Sequence, residues 1–158
     1  MSSRLAMHIK DFLSPSDVIT DLRASDKTSV LQELARRAAA VLKMSADTIS
    51  AELLKREQLG STGMGDGIAI PHARVAGVKS PFGVLARLKE PVDFEAVDGQ
   101  PVDLVFLLLG PAAPQGEQLN VLACVARKLR DPATVEELRE AKDSQALYRR
   151  MTEDTKRV

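Results

Sequence analysis

The stretch from Val102 to Leu109 (Val-Asp-Leu-Val-Phe-Leu-Leu-Leu) limits the possible folds of this chain more than any other. Its apolar core, Leu104 to Leu109, is far shorter than the ~20 residues that would cross a bilayer. Gly110 and Pro111 follow it as turn formers, so the run reads as a β-strand. A strand with no polar face is central in its sheet and covered on both sides. The covering helices are legible in the flanking sequence. Ser25 is a candidate N-cap, with Asp26 in the first turn, for a helix carrying Val30, Leu31, Leu34, Ala38, Val41 and Leu42 on one face. A second helix is predicted after Ser45, with Ile49, Leu53 and Leu54, and Gly60 as its stop. Beyond a Gly110–Gly116 loop, Glu117–Leu129 shows a stripe of Leu119, Leu122, Val125, Ala126 and Leu129. Asp131 with Pro132 opens a further helix, and Ser144–Met151 reads as the last.

Other strands are predicted at Val18–Leu22, Ile68–Ile70, Phe82–Leu88 and Val92–Phe94, with a turn at Asp98-Gly99. Helices at both ends of a strand-rich middle predict an α/β fold, a three-layer α/β/α sandwich on a mixed sheet. The 158 residues suit one domain spanning 1–158, with its core over about 9–152.

Composition then excludes several functions. Lys plus Arg and Asp plus Glu each number 22, so the net charge is zero. That argues against a broad electrostatic grip on nucleic acid or on an anionic membrane, and the short apolar runs argue against membrane insertion. Aromatics are 3% with no Trp, which leaves no stacking platform for single strands. Cys124 is the only cysteine and is expected to be a small core residue. With two histidines, His8 and His72, it cannot supply the three or four ligands of a metal site, and no cofactor is expected. The first ten residues hold no apolar signal core, so the expected location is cytoplasmic. The charge run Asp131–Lys142 reads as a solvated helix face. Arg87 and Lys89 are candidates for the border of a partner surface.

The chemistry concentrates between Arg56 and Arg74. Four of the nine glycines lie between Gly60 and Gly67, where backbone N–H groups could approach an anion. No lysine follows them as a Walker loop requires, and no third glycine completes a dinucleotide fingerprint. His72 stands directly after Pro71, at the end of a short apolar strand. Proline stiffens the backbone that presents the ring. A neutral imidazole has one nucleophilic nitrogen. Phosphoryl transfer needs in-line placement and donors for the phosphoryl oxygens. Ser61 and Thr62 offer hydroxyls, the glycines N–H groups, and Arg56 or Arg74 a cation.

The run Arg56-Glu57…Gly60-Ser-Thr-Gly-Met-Gly-Asp-Gly-Ile-Ala-Ile-Pro-His72 resembles the active-site segment of the enzyme IIA proteins of the bacterial phosphotransferase system. It is most like the nitrogen-regulatory branch of the mannitol/fructose class. The resemblance extends to the N-terminal helices, the strand ending Leu-Leu-Leu-Gly-Pro, and Leu129-Arg-Asp-Pro132. It implies that His72 accepts a phosphoryl group from an HPr-like carrier charged by an enzyme I. It also implies that Arg56 is the arginine beside the phosphorylated site and Thr62 the neighbouring hydroxyl. One departure stands out. Many relatives carry a second histidine where this chain has Gln118, in Glu117-Gln-Leu-Asn-Val-Leu122. An amide can donate to a phosphoryl oxygen but cannot carry charge.

The implied role is that of a phosphocarrier that regulates partners, by resemblance potassium transport systems, sensor kinases or stringent-response enzymes. A binding module acting without phosphorylation and a sugar-specific component feeding a permease are the alternatives. Apolar residues near the site, such as Met64, leave room for a weak homodimer.

Overall fold

A computed structural model describes residues 8–113 and 116–153, the side chains of 116 and 117 excepted. The Pro114 part of the expected loop therefore lies outside the described residues. Two 3-10 turns, Ile9–Asp11 and Pro15–Asp17, lead into β1 (Val18–Leu22). Next come α1 (Lys27–Leu42), α2 (Ala46–Gln58), β2 (Gly63–Gly65), β3 (Ile68–Ala69) and β4 (His72–Val75). Then follow β5 (Phe82–Val92), β6 (Val102–Pro111), α3 (Gly116–Leu129), α4 (Pro132–Glu140) and α5 (Ser144–Thr152). No helix among the described residues is long and apolar enough to cross a membrane.

The six strands form one mixed sheet in the order β1-β5-β6-β3-β2, with β4 also paired to β6. β6 is an interior strand, antiparallel to β5 and parallel to β3 and β4. Its side chains alternate between two cores. Val105, Leu107 and Leu109 join the residues of α1 and α2, while Leu104, Phe106 and Leu108 join those of α3, α4 and α5. All six are fully buried. The uniformly apolar run is thus a strand with a helix layer on each face, as predicted.

The helix starts follow local chemistry. Asp26, not Ser25, caps α1, its carboxylate accepting from Ser29 N at 2.8 Å. A carboxylate satisfies an orphan amide and also meets the positive end of the helix dipole. Ser45 caps α2 through Thr48 N, and Asp143 caps α5 through Ala146 N. The core face of α1 uses Ala35 and Ala39 and leaves Val41 exposed. α3 turns Val121, Val125 and Leu129 inward, at i, i+4 and i+8. Leu119, expected in the core, is 73% exposed.

Val92–Phe94 is not a separate strand, because β5 continues to Val92. Gly110 and Pro111 belong to β6 rather than to a loop. Arg87 does not border an open surface. Its guanidinium donates to Leu138 O and Ala141 O, both at 2.8 Å, satisfying carbonyls left open at the end of α4. The charge run is only partly solvated, since Arg139 pairs with Asp103 at 2.9 Å and donates to Asp66 O at 2.6 Å.

Gly83 in β5 has no room for a side chain. A Cβ there would lie 2.7 Å from Cε1 of the buried Phe106 ring, which is itself packed edge-on against Phe12. Gly83→Ala should cost about 1–3 kcal/mol in urea denaturation, and adding Phe106→Leu should recover part of that loss.

Candidate functional site

The site grows out of an interrupted strand. β3 pairs Ile68 with Leu104, and β4 pairs His72 with Leu108, so the two segments run along β6 in one register. Between them Ile70 N turns to Thr62 O at 3.1 Å, and Leu108 N donates to Pro71 O at 3.0 Å. Proline has no N–H to place in the ladder, so the break falls where it costs little. The parity of the strand decides where the ring goes. Ala69, Ala73 and Val75 face the α1–α2 core, and Ile68 and Ile70 face the α3 side. His72 shares the parity of Ile70 and lines a cavity with α3 residues Leu119 and Leu122.

His72 Nδ1 lies 2.7 Å from Ile70 O. A carbonyl only accepts, so Nδ1 carries the proton and the lone pair is on Nε2. No described residue hydrogen-bonds Nε2. Burial pushes the ring's pKa below the usual histidine value. The bond to Ile70 opposes that shift, the nearby Arg56 guanidinium reinforces it, and Glu57 opposes it. The ring is therefore mostly neutral at pH 7.

Glu57, at the C-terminal end of α2, is 8% exposed and organises the loop beside the ring. Its Oε2 accepts from Thr62 N at 2.9 Å and from Lys27 Nζ at 3.0 Å, and its Oε1 accepts from the Thr62 hydroxyl at 2.7 Å. Lys27 also reaches Glu95 at 3.0 Å and sits 5.6 Å from the centre of the Phe94 ring. Burial alone would lower the Lys27 pKa, but the bonds to Glu95 and Glu57 raise it.

Two of the expected phosphate donors are therefore engaged elsewhere. The Thr62 hydroxyl proton goes to Glu57, and the Ser61 hydroxyl donates to Phe94 O. The amides of Thr62 and Gly63 donate to Glu57 and to Ser61 Oγ. The glycines build a β2–β3 hairpin rather than an anion cradle, with positive φ at Asp66 and Gly67 in its turn.

Two adjoining cavities meet at His72. One, of about 530 Å³, is lined by Arg56, Ser61, Thr62 and Met64, and by Arg127 and Arg130 of α3. The other holds Lys55, Arg56, Arg74 and Gln118. All five sequence-predicted site residues, His72, Arg56, Thr62, Ser61 and Gln118, therefore line this region. Arg56 donates to Gly60 O at 2.9 Å, which holds its guanidinium at the α2 terminus. Gln118 lies flat on Gly110, where a Cβ would come within 1.9 Å of its Oε1. That oxygen is buried and has no hydrogen-bond partner among the described residues.

Sequence reasoning missed Arg127, Arg130 and the role of Glu57. The two arginines three residues apart on α3 were a visible signal, but their address beside His72 was not. His8 sits away from the site, at the start of the first 3-10 turn, with its N–H on Asp11. Cys124 is half-buried, its thiol pKa pushed up by burial. Among the described residues, no three His, Cys, Asp or Glu side chains gather where they could hold a metal.

A family model described as "Phosphoenolpyruvate-dependent sugar phosphotransferase system, EIIA 2" matches residues 11–154. The chain belongs to that family. Within it, the likeness is to the nitrogen-regulatory branch. A nitrogen regulatory protein of Bradyrhizobium diazoefficiens is 44% identical over 142 residues, covering 90% of this chain and 93% of that protein. One of Pseudomonas aeruginosa is 41% identical over 143 residues, with 90% and 93% covered. The crystal structure of nitrogen regulatory protein IIA-Ntr from Neisseria meningitidis superposes with a TM-score of 0.86 at 36% identity, covering 91% of this chain and 99% of that one. Escherichia coli IIA mannitol, at 19% identity and a TM-score of 0.71, covering 87% of this chain and 97% of that one, shares the fold.

Two measurements check this geometry. His72 should titrate by NMR below the usual 6.5, and Arg56→Gln should move that midpoint upward. Because the folded pKa is depressed, the unfolded chain binds the extra proton. The ring's contribution to stability is therefore present above pH 6.5 and lost as pH falls through the folded value. Separately, Glu57→Ala leaves two buried Thr62 donors without their acceptor and Lys27 with Glu95 as its one remaining ion pair. It should cost about 3 kcal/mol in urea denaturation, and Glu57→Gln less.

Proposed function

We propose that the protein is a phosphohistidine carrier of the nitrogen-regulatory branch, accepting a phosphoryl group on His72 from a phosphorylated HPr-like carrier. The observation that carries this reading is the locked tautomer, in which Nδ1–H is held by Ile70 O and the Nε2 lone pair stays open beside a cationic cavity. In the transfer, Nε2 attacks phosphorus in line as the P–N bond of the donor phosphohistidine breaks. The donor imidazole leaves with the electron pair. The phosphorylated His72 ring becomes an imidazolium whose Nδ1–H the Ile70 carbonyl already accepts. Arg56 supplies positive charge to the phosphoryl oxygens, and the Gln118 amide can donate to them. Ser61 and Thr62 shape the wall.

The negative charge gained at His72 changes the potential of this face and hence the partners it accepts. Potassium transport systems, sensor kinases and stringent-response enzymes are the targets we propose, with the cytoplasm as the site of action. Support for the nitrogen branch comes from the nitrogen regulatory proteins that the chain resembles over nine-tenths of its length.

Incubation with phosphoenolpyruvate, enzyme I and the HPr-like carrier should give an acid-labile phosphate, with a 31P NMR signal of the Nε2 isomer. His72→Ala should give none, and Arg56→Gln should slow labelling at least about tenfold. Equal labelling of wild type and His72→Ala would overturn the proposal. A binding module without phosphorylation is favoured only by Gln118 standing where relatives carry a second histidine. Such a module would bind a target equally well before and after the labelling reaction.

A further inference from the structure

From Leu104 to Leu109 every side chain of β6 is apolar and fully buried, and Gly110 breaks the run. The backbone does not require a glycine there. Gly110 is not among the residues with positive φ, so its strand conformation is one that alanine also adopts. A glycine inside a strand gives up packing and costs entropy. Where its φ is ordinary, it marks a place where another group comes close. Here that group is the Gln118 amide. The three heavy atoms nearest a Cβ built on Gly110 all belong to it, Oε1 at 1.9 Å, Cδ at 2.5 Å and Nε2 at 2.9 Å.

Strand register gives the address of this amide. Gly110 pairs with Arg74 as Leu108 pairs with His72. Leu108 faces the α3 side, and alternation puts Gly110 on the same face. The space left by the missing side chain is therefore one pair along from His72, on the side to which the ring turns. His72, Arg74 and Gln118 line one cavity there. Gln118 itself enters from the first turn of α3.

The amide is held in an unequal way. Its Oε1 is shut off from solvent with no hydrogen-bond partner among the described residues, and a buried carbonyl without a donor destabilises the fold. The amide nitrogen is not shut off in this way, and no described acceptor takes its N–H groups. Two features that each cost stability, the strand glycine and the orphan oxygen, thus fall on one side chain. Together they turn the acceptor into the sheet and leave two donors for the cavity.

We infer that Gly110 is a positioning residue for the reaction at His72, its missing side chain seating the Gln118 amide with its N–H groups toward the cavity that holds the ring. This rests on the phosphocarrier reading above. Gly110 touches no reactant and acts through Gln118 alone.

The test is steady-state labelling from the phosphorylated HPr-like carrier, read as kcat and KM. Gly110→Ala and Gln118→Ala should each lower kcat about tenfold, because a donor to the transferring group is lost. KM for the carrier should stay within about twofold of wild type, because binding of the whole carrier is not what the amide supplies. The far end of Gln118 can swing aside, so the melting temperature of Gly110→Ala should not fall. With Gln118→Ala already in place the space at position 110 is free, and adding Gly110→Ala should change nothing further. Wild-type kcat in Gly110→Ala, a change in KM alone, or losses that add in the double variant would overturn the inference. Should Gly110→Ala alone not fold, the double variant decides: folded with the kcat of Gln118→Ala it supports the inference, and unfolded it overturns it. Were wild type not labelled at all, the carrier reading would fail instead. NMR of the Gln118 side-chain amide against inorganic phosphate would then decide, a shift in wild type that is lost in Gly110→Ala supporting the inference, and equal shifts or none overturning it.

Discussion

A parallel strand laid along β6 and broken at Pro71 is the constraint on which the site depends. The break costs one ladder amide that proline never had, and the register with β6 is unchanged on its far side. His72 therefore emerges from a rigid, fully buried neighbour strand rather than from a free loop, and strand parity sends its ring to the α3 side. The Ile70 carbonyl, released by the same break, fixes the ring's tautomer at 2.7 Å. One backbone irregularity thus settles the position, orientation and tautomer of the His72 ring.

Around that group the polar chemistry divides into two sets. Glu57, Thr62, Ser61 and Lys27 spend their donors and acceptors on one another and on the Phe94–Glu95 segment. A buried carboxylate is costly unless its lone pairs are filled, and here a cation, an amide and a hydroxyl fill them. This set holds the wall in place and has little left to offer a ligand. The second set, the arginines of α2, β4 and α3, has no anionic partner within the described fold and faces outward. The first set is paired internally, and the second keeps its positive charge uncompensated by described carboxylates.

α3 illustrates how apolar periodicity can mislead. Two stripes run along it, Val121-Val125-Leu129 and Leu119-Leu122-Ala126, and both have helical spacing. The first is fully buried in the core, whereas in the second Leu122 and Ala126 pack only partly against it and Leu119 is exposed. The second lines the cavity at His72, where Leu119 stays exposed, as Leu59 does just past α2.

Local chemistry was readable directly from the chain. The two-sided apolar run of β6 announced a covered sheet, the Ser45 and Asp131-Pro132 starts marked helices, and Pro71-His72 with its glycines marked the candidate site. These features act over a few residues, so neighbours in sequence suffice to specify them. What only the tertiary structure decided depends on residues far apart. The Thr62 hydroxyl looked like a phosphate donor, but it donates to Glu57, which Lys27 holds in place, and Arg87 looked like a surface cation, but it closes the end of α4. The glycines proved to be a hairpin because β3 pairs back onto β2, and Arg127 and Arg130 joined the site because α3 packs across the sheet. Hydrogen bonds and charges take their roles from partners brought close in space, and one sequence window does not contain those partners.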